Sequence, residues 1–177
     1  MNMMPPPPPS PPPPPPGYTA YAVASTPLYA GFGSRLGAYI IDGLVGLLFA
    51  VPAIAALFAG PKHIDTCTIN HEVRLCNVPT PATVGATVAL GAVAAVIYIV
   101  LYCRRVGRGQ SWGQQAVGIR VVDAETGQPI GTGRAVGRFF GRYLSAVPCY
   151  LGFLWMLWDG RKQTWHDKLT NSLVVRG

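Results

Sequence analysis

An acidic residue inside a long apolar segment is the feature of this 177-residue sequence with the clearest chemical meaning. Asp42 is the one charged residue between Leu36 and Gly60. A lone carboxylate in hydrocarbon costs at least about 2.5 kcal/mol, so it must be paired, protonated or turned toward a polar cavity. Arg35 lies seven residues earlier, which on a helix places it on the same face but about 10.5 Å away along the axis. We therefore expect Asp42 to find its partner on another segment.

A candidate partner lies in a later segment that is rich in arginine. Arg134, Arg138 and Arg142 recur every four residues, which places them on one face of an amphipathic helix that enters the membrane from the cytoplasmic side. We predict that Arg138 or Arg142 pairs with Asp42. The alternative is that these arginines bind the phosphate groups of lipids.

Uncharged blocks of sequence position these residues. Half of all residues are hydrophobic and 12% are charged, and residues 36–60 and 82–102 are each long enough to cross a hydrocarbon core of about 30 Å. A third block, 143–158, contains Pro148 and as a helix reaches about 24 Å, which falls short of a span. We predict an all-α membrane domain over residues 29–176, with two transmembrane helices and, over about 134–158, a proline-broken re-entrant hairpin or a third span.

The distribution of basic residues predicts the orientation. Eleven of the 14 Lys and Arg residues lie between Arg104 and Arg176, and positive loops stay in the cytoplasm. Both chain ends are therefore expected to be cytoplasmic in a multi-pass plasma membrane protein, whereas a single third span would send Arg176 outside. The net charge of +7 follows from this topology and from attraction to anionic lipid, so a nucleic-acid partner is not needed to explain it.

Two cysteines lie in the loop assigned to the outside. Cys67 and Cys76 are nine residues apart, and an oxidising compartment would let them form a disulfide. The alternative is a metal site with His63 and His71, but the spacing fits no standard zinc pattern. We predict the disulfide, and neither a metal site nor a cofactor.

The first 28 residues differ in composition from the rest. Residues 5–16 are eleven prolines and Ser10, which favours a polyproline II conformation. We expect a disordered cytoplasmic tail. It is interpreted as a spacer or, alternatively, as a ligand for a cytoplasmic protein that binds proline motifs.

The segment between the second span and the arginine-rich helix predicts a small cytoplasmic β-hairpin. Residues 118–123 alternate β-branched side chains, and Gly127 precedes Gln128, Pro129 and Ile130, which is typical of two short strands joined by a turn. The glycine-rich stretch 107–113 matches neither the P-loop nor the dinucleotide fingerprint. Nucleotide binding is not expected.

Three segments together resemble the RDD family of integral membrane proteins. They are Arg35 with Asp42, the sequence GQSWGQQAVGIRVVD at 109–123, and WHDKL at 165–169 with Val174 and Val175. The family is named for one arginine and two aspartates, which correspond to Arg35, Asp42 and Asp167. The resemblance covers about residues 29–176, and a proline-rich tail ahead of such a domain is similar to the actinobacterial proline-rich antigen proteins. It implies a membrane protein for which transport of ions or small ligands is suggested.

Two functions are compatible with these observations. In the first, Asp42 with Arg35, and with Asp167, forms a polar intramembrane site that assists transport of an ion or small ligand; two or three spans cannot enclose a path, so this requires a homo-oligomer. In the second, a non-catalytic scaffold uses its polar residues to hold the helices together and its proline-rich tail to recruit a partner. An enzyme is not expected, because no nucleophile, base and orienting group converge in the sequence.

Overall fold

A computed structural model describes residues 28–69 and 71–177. The proline-rich tail therefore lies outside the described residues, apart from Leu28. In chain order the elements are α1 (Phe32–Ala59), β1 (Lys62–Ile69), β2 (Glu72–Pro79), α2 (Pro81–Gly107), α3 (Trp112–Ala116), β3 (Ile119–Asp123), α4 (Gly131–Ala146), α5 (Leu151–Leu154), a 3-10 turn (Trp155–Leu157), α6 (Trp165–Leu169) and β4 (Ser172–Arg176).

Two long apolar helices, α1 and α2, dominate the described residues. They pack antiparallel, since Gly46 lies against Tyr98 and Gly91 against Ala53. In the most apolar 18 residues of each helix, 11% of the residues are buried in α1 and 0% in α2. Outward-facing Leu, Val and Ile side chains along both helices are thus left for hydrocarbon, which distinguishes the pair from the core of a soluble protein. Each helix extends beyond the predicted span because its basic end continues the helix outside the apolar block.

The connection between α1 and α2 is an antiparallel hairpin of β1 and β2, whereas a loop was expected from the sequence. Its register pairs Lys62 with Pro79 and Ile69 with Glu72. Cys67 and Cys76 are joined by a disulfide across the two strands, with their Cα atoms 6.0 Å apart.

A second small antiparallel sheet joins β3 to β4, with Ile119 opposite Arg176 and Asp123 opposite Ser172. The predicted local hairpin is wrong in its second strand: the Asp123 side chain accepts bonds from two following backbone amides and forms the turn, but residues 128–130 lead into α4 instead of extending as a strand. The Ala30 amide donates to the Val174 carbonyl at 2.9 Å. Residues 28–30 therefore lie beside β4, and the start of α1 and the end of β4 share one end of the molecule.

The buried apolar core lies at this same end, not between the middles of the long helices. Its members come from α1, α2, β3, β4 and α4, and include Ala38, Tyr102, Val106, Val121 and Val174. We refer to this end as the basic end, because Arg104, Arg105 and Arg108 lie at the adjacent terminus of α2.

The third apolar block is broken, as Pro148 predicts. α4 ends at Ala146, and Cys149 and Tyr150 take left-handed backbone conformations with φ of 49° and 61° before α5 begins. A Cβ added to Gly152 would lie 2.6 Å from Ser145 Cα, so α5 folds closely back onto α4. No helix of 18 or more residues with an apolar window is present among residues 71–177 other than α2.

Candidate functional site

Asp167 lies between two arginines from different helices. Its Oδ2 is 2.5 Å from Arg35 Nη1 of α1, and its Oδ1 forms an ion pair with Arg138 Nη1 of α4. The three side chains are at most 4% exposed. This Arg35–Asp167–Arg138 group, which we call the clamp, fastens α6 to α1 and α4.

Backbone and hydroxyl groups complete the clamp. Arg35 Nη2 donates to the Lys162 carbonyl at 2.7 Å, and Arg138 Nη1 donates to Ser172 Oγ at 2.6 Å. The Thr164 amide donates to Asp167 Oδ2 at 3.0 Å, which caps the short helix α6. Directed hydrogen bonds thus stabilise most of these buried charges. Among the described residues, Arg138 Nε has no hydrogen-bond partner, and the ion pair with Arg138 is the contact of Asp167 Oδ1.

The charge state of Asp167 follows from its neighbours. Burial would raise the pKa of this carboxyl, but the Arg138 and Arg35 guanidinium groups outweigh burial and hold the pKa below its usual range. Asp167 is therefore ionised, and it balances one of the two arginine charges in the clamp.

Asp42 is bonded to the segment between α2 and β3. Ser111 Oγ donates to its Oδ2 at 2.6 Å, and the Gly113 amide donates to its Oδ1 at 2.7 Å. Gly113 is essential to this contact, because a Cβ at that position would collide with the Ala38 carbonyl on α1. The carboxylate therefore docks α3 onto the first long helix.

The predicted pairing of Asp42 with Arg138 or Arg142 is wrong. Both oxygens of Asp42 bond to Ser111 and Gly113, while Arg138 bonds to Asp167 and Ser172. The i, i+4 spacing placed the arginines on one face of α4 as expected, but it does not specify which acid that face meets.

His166, beside Asp167, is fully buried in a network of hydroxyl groups. Its Nδ1 is 3.1 Å from Ser145 Oγ, and its Nε2 is 3.0 Å from Thr164 Oγ1 and 3.3 Å from Tyr39 Oη. Because Ser145 donates its own proton to the Gly141 carbonyl, the proton between Ser145 and the ring belongs to Nδ1, and Nε2 accepts. Burial, together with the arginines of the site, lowers the pKa of His166 well below its usual value. The imidazole is neutral.

Arg142 faces the same region from the next turn of α4. It donates to Tyr102 Oη, and its guanidinium carbon lies 4.7 Å from the ring centroid of Tyr39 and 4.9 Å from that of Tyr102. Aromatic faces stabilise a cation in this geometry. Among the described residues, no carboxylate lies within ion-pair distance of this guanidinium.

A cavity of about 530 Å³ lies between α1 and the turn from α4 to α5. Arg35, Asp42 and Arg142 contribute its charged wall, so three of the five predicted polar residues border one space. The remaining lining is mostly aromatic or apolar: Phe32, Leu36, Tyr39, Gly43, Tyr98, Tyr150, Phe153, Leu154, Met156 and Thr164. Asp167 and Arg138 do not line the cavity; Asp167 pairs with Arg35, and Arg138 pairs with Asp167.

The alternative metal site in the β1–β2 hairpin loses its thiol ligands to the disulfide between Cys67 and Cys76. Within residues 28–69 and 71–177, no group of three or more His, Cys, Asp or Glu side chains is arranged to hold a metal ion.

Comparison with known proteins identifies the family. The family model described as RDD family matches residues 29–171. The chain belongs to the RDD family. The resemblance stated from the sequence is thereby confirmed, and with its two long apolar helices this RDD chain is a membrane protein with a buried Arg/Asp cluster.

Curated relatives of this RDD chain include two mycobacterial proteins. The Proline-rich antigen homolog of Mycobacterium tuberculosis (strain H37Rv) is 32% identical over 143 residues, covering 79% of this chain and 60% of that protein. The Proline-rich antigen of Mycobacterium leprae (strain TN) is 33% identical over 160 residues, covering 87% of this chain and 64% of that protein. The chain thus spans less than two thirds of the length of either.

A Bacillus subtilis (strain 168) relative, Uncharacterized protein YxaI, is 30% identical over 152 residues, which cover 82% of this chain and 96% of that protein. No solved structure matches the chain.

The arginine and the two aspartates to which the family resemblance points divide between two contacts in the structure. Arg35 and Asp167 meet each other in the clamp, whereas Asp42 meets Ser111 and Gly113. Arg35 and Asp42 nevertheless border the same cavity. Arg35 and Asp42 thus line one cavity, and each is held in place by a different set of contacts.

Several partners of the RDD residues were missed from the sequence. Ser111 and Gly113 lie within the segment that carried the resemblance, yet serine and glycine in a loop give no signal of the acid they bind. Ser172 and Tyr102 are likewise common residue types in short or apolar elements. Only their positions in the folded chain mark them as members of the site.

Proposed function

We propose that this RDD protein is a non-enzymatic, multi-pass protein of the plasma membrane that binds a small ligand in the cavity between α1 and the α4–α5 turn, and assists transport of that ligand as an oligomer. The cavity itself carries the proposal. Its volume of about 530 Å³ is typical of small-molecule sites, as is an apolar lining with a few convergent polar groups.

The bonding of the two aspartates favours a small ligand over a cation. Asp42 has both oxygens hydrogen-bonded by Ser111 and Gly113, and each oxygen of Asp167 forms an ion pair with an arginine. A cation would have to displace these bonds to reach a carboxylate. The polar side chains therefore act in this proposal as the frame of a binding site.

The contact between residues 28–30 and β4 supports cytoplasmic placement of both chain ends. The two segments are hydrogen-bonded, which supports placing them on one side of the membrane, and the surrounding arginines favour the cytoplasm as that side. In this topology α4 and α5 form a re-entrant hairpin, and the disulfide-bonded β1–β2 hairpin is outside, where oxidation is favoured.

Protease protection tests the orientation. A tag after Gly177 is expected to be digested in inside-out vesicles and protected in right-side-out vesicles. A tag inserted at the β1–β2 turn, after Ile69, should show the opposite pattern. Digestion of the Gly177 tag in right-side-out vesicles would exclude the re-entrant arrangement.

Transport requires more than one copy in this proposal, because two spans cannot enclose a path through hydrocarbon. The outward-facing apolar side chains of α1 and α2, such as Leu47, Val51, Val93 and Val100, are available to membrane lipid, to further copies or to other membrane proteins. Chemical cross-linking in native membranes is expected to trap a homo-oligomer.

Ligand binding in the cavity can be tested with a variant that fills it. Gly43 lines the cavity, and a Cβ added there meets no atom within 4 Å. Gly43→Leu therefore adds a bulky side chain to the cavity wall at a position where its first atom has room. Thermal unfolding of the full chain in mild detergent is measured with Na⁺, inorganic phosphate, acetate and total polar lipid extract as probes. A bound probe raises the unfolding temperature.

The matched control is Gly85→Leu on α2, where an added Cβ also meets no atom within 4 Å and which lies outside the cavity. At least one probe is expected to stabilise the native chain and Gly85→Leu but not Gly43→Leu, and uptake of that probe into proteoliposomes should be lost in Gly43→Leu. Equal stabilisation of all three chains would contradict binding in this cavity.

A second candidate function is a non-catalytic membrane scaffold whose proline-rich tail binds a cytoplasmic partner. The hydrogen bonds of Asp42 and the two ion pairs of Asp167 favour it, since such contacts within the protein suit a purely structural role. Proteins cross-linked to the native chain and absent when residues 1–27 are deleted would support this candidate. Loss of ligand uptake in Gly43→Leu with unchanged cross-linking would oppose it.

A further inference from the structure

Arg142, which is half-buried, differs from Arg35, Arg134 and Arg138 in having no carboxylate within ion-pair distance among the described residues. Arg35 and Arg138 both pair with Asp167, and Arg134 pairs with Asp123. The one hydrogen bond of the Arg142 side chain given by the structure is to Tyr102 Oη, and Arg142 Nε is buried with no hydrogen-bond partner among the described residues. A guanidinium has five N–H donors, so most of its capacity is unused.

The charges around the cavity leave an excess of positive charge. Arg35, Arg138 and Arg142 supply three guanidinium groups, and Asp42 and Asp167 supply two carboxylates. His166 is neutral because burial lowers its pKa. These five groups thus carry one net positive charge, and an uncompensated charge that is partly removed from water is costly. An anion in the cavity would remove this cost.

The negative charge of Asp42, which also lines the cavity, is already engaged. Ser111 and Gly113 donate to its two oxygens, and Arg142 and Arg105 act on it electrostatically. Of the two arginines that line the cavity, Arg35 makes three hydrogen bonds and Arg142 one. Arg142 therefore has more unused donors for a bound anion, and the Tyr39 ring lies beside it.

The remaining walls specify the rest of the ligand. Leu36, Phe153 and Leu154 line the cavity, and they are apolar groups that a fully hydrated small ion would not satisfy. A molecule with an acidic head and an apolar chain matches both parts of the surface. Carboxylate and phosphate heads fit the planar fork of arginine in a bidentate manner.

We propose that the cavity binds an anionic amphiphile, with its phosphate or carboxylate head on Arg142 and its apolar chain along Leu36, Phe153 and Leu154. This assignment rests on the proposed ligand-binding function of the cavity and names the class of its ligand. Arg142 is the specificity-determining residue, because it supplies the unused donors.

Native mass spectrometry of the full chain in a nonionic detergent tests the assignment. The probes are dioleoyl phosphatidylglycerol, dioleoyl phosphatidylcholine and inorganic phosphate. Phosphatidylglycerol is expected to bind one to one and more tightly than phosphatidylcholine, and millimolar phosphate should not displace it. Arg142→Gln should weaken phosphatidylglycerol binding about tenfold or more, since bonds from a charged donor are lost.

Two control variants separate cavity binding from attraction at the membrane surface. Arg134→Gln makes the same charge change on the same helix, two turns away and outside the cavity, and should retain phosphatidylglycerol. Gly43→Leu should lose phosphatidylglycerol binding without altering any charge. This variant therefore tests the cavity even if Arg142→Gln weakens the fold. Gly85→Leu should retain phosphatidylglycerol.

Each other outcome overturns the assignment. Equal binding of the two lipids would show that the charge of the head group is not recognised. Equal losses in Arg134→Gln and Arg142→Gln would reduce the effect to surface charge. Displacement by phosphate would show that a free anion is the ligand. Binding of phosphatidylcholine that Gly43→Leu blocks and Arg142→Gln leaves intact would overturn the anion assignment while the cavity function stands. If Gly43→Leu alters the binding of no probe, both proposals fail.

Discussion

Arg35 and Asp167, separated by 132 residues in the chain, form an ion pair of 2.5 Å in which neither side chain is more than 4% exposed. The pair joins the first long helix to the short helix α6, and Arg138 joins α4 to the same carboxylate. The clamp therefore decides where three separate segments meet at the basic end. Removal of the clamp should therefore destabilise the packing of α1, α4 and α6 at that end of the protein.

Asp167→Asn is expected to lower the free energy of unfolding by about 3 to 5 kcal/mol. The substitution leaves two buried guanidinium groups without their counter-charge, and breaking a buried pair from one side has this cost. Thermal unfolding in mild detergent, followed by circular dichroism, measures the change.

Asp159→Asn is the matched control for that measurement. Asp159 pairs with Lys168, whose side chain is 44% exposed, and ion pairs in contact with solvent contribute at most about 1 kcal/mol. Equal losses in the two variants would show that the clamp is no stronger than a surface pair.

His166 is expected to make the protein less stable in mild acid. Burial lowers its pKa in the folded state, so below the unfolded value of about 6.5 the unfolded chain binds one proton more than the folded chain. Stability is then fully present above that value and falls by about 1.4 kcal/mol per pH unit as the pH decreases toward the folded pKa. His166→Gln should flatten the slope of stability between pH 6.5 and 5, whereas the exposed His63→Gln should leave it unchanged.

Asp42 is expected to be energetically coupled to Ser111 and not to Arg138. A double-mutant cycle of Asp42→Asn and Ser111→Ala should give a coupling of about 1 to 3 kcal/mol, because the two side chains share a buried hydrogen bond. The cycle of Asp42→Asn with Arg138→Gln should give less than about 0.5 kcal/mol. The reverse ranking of the two cycles would restore the pairing expected from the sequence.

The thiol count is expected to change from two to four on reduction. Cys103 and Cys149 are free, and Cys67 and Cys76 form the disulfide. The chain, extracted from membranes under non-reducing conditions and unfolded in detergent, should take two maleimide labels before reduction and four after it. Four labels before reduction would exclude the disulfide.

The helical parts of this fold were accessible from sequence because they depend on local composition. The uncharged blocks identified both long helices, Pro148 marked the break after α4, and the spacing of Arg134, Arg138 and Arg142 placed these residues on one face. Each inference depends on length, hydropathy or a period of 3.6 residues, which neighbouring residues determine by themselves.

The contacts between distant segments were not accessible in the same way. The turn near Gly127 was predicted correctly. The strand β3, however, pairs with the distant strand β4, and both strands contribute side chains to the core that also contains Ala30. Helical spacing likewise placed Asp42 on a face without revealing that a serine and a backbone amide of a loop would meet it. Such choices are made by packing between segments, and a single sequence does not display them.

The position of Asp167 along the chain has a consequence for biosynthesis. At roughly 5 to 20 residues per second, the ribosome needs on the order of ten seconds to add the 132 residues that separate Arg35 from its carboxylate. Throughout that interval the nascent chain carries an arginine at the start of its first hydrophobic helix with no acid to receive it. Synthesis of both long helices therefore precedes closure of the basic end, and a nascent chain halted before Asp167 would leave Arg35 without its ion-pair partner.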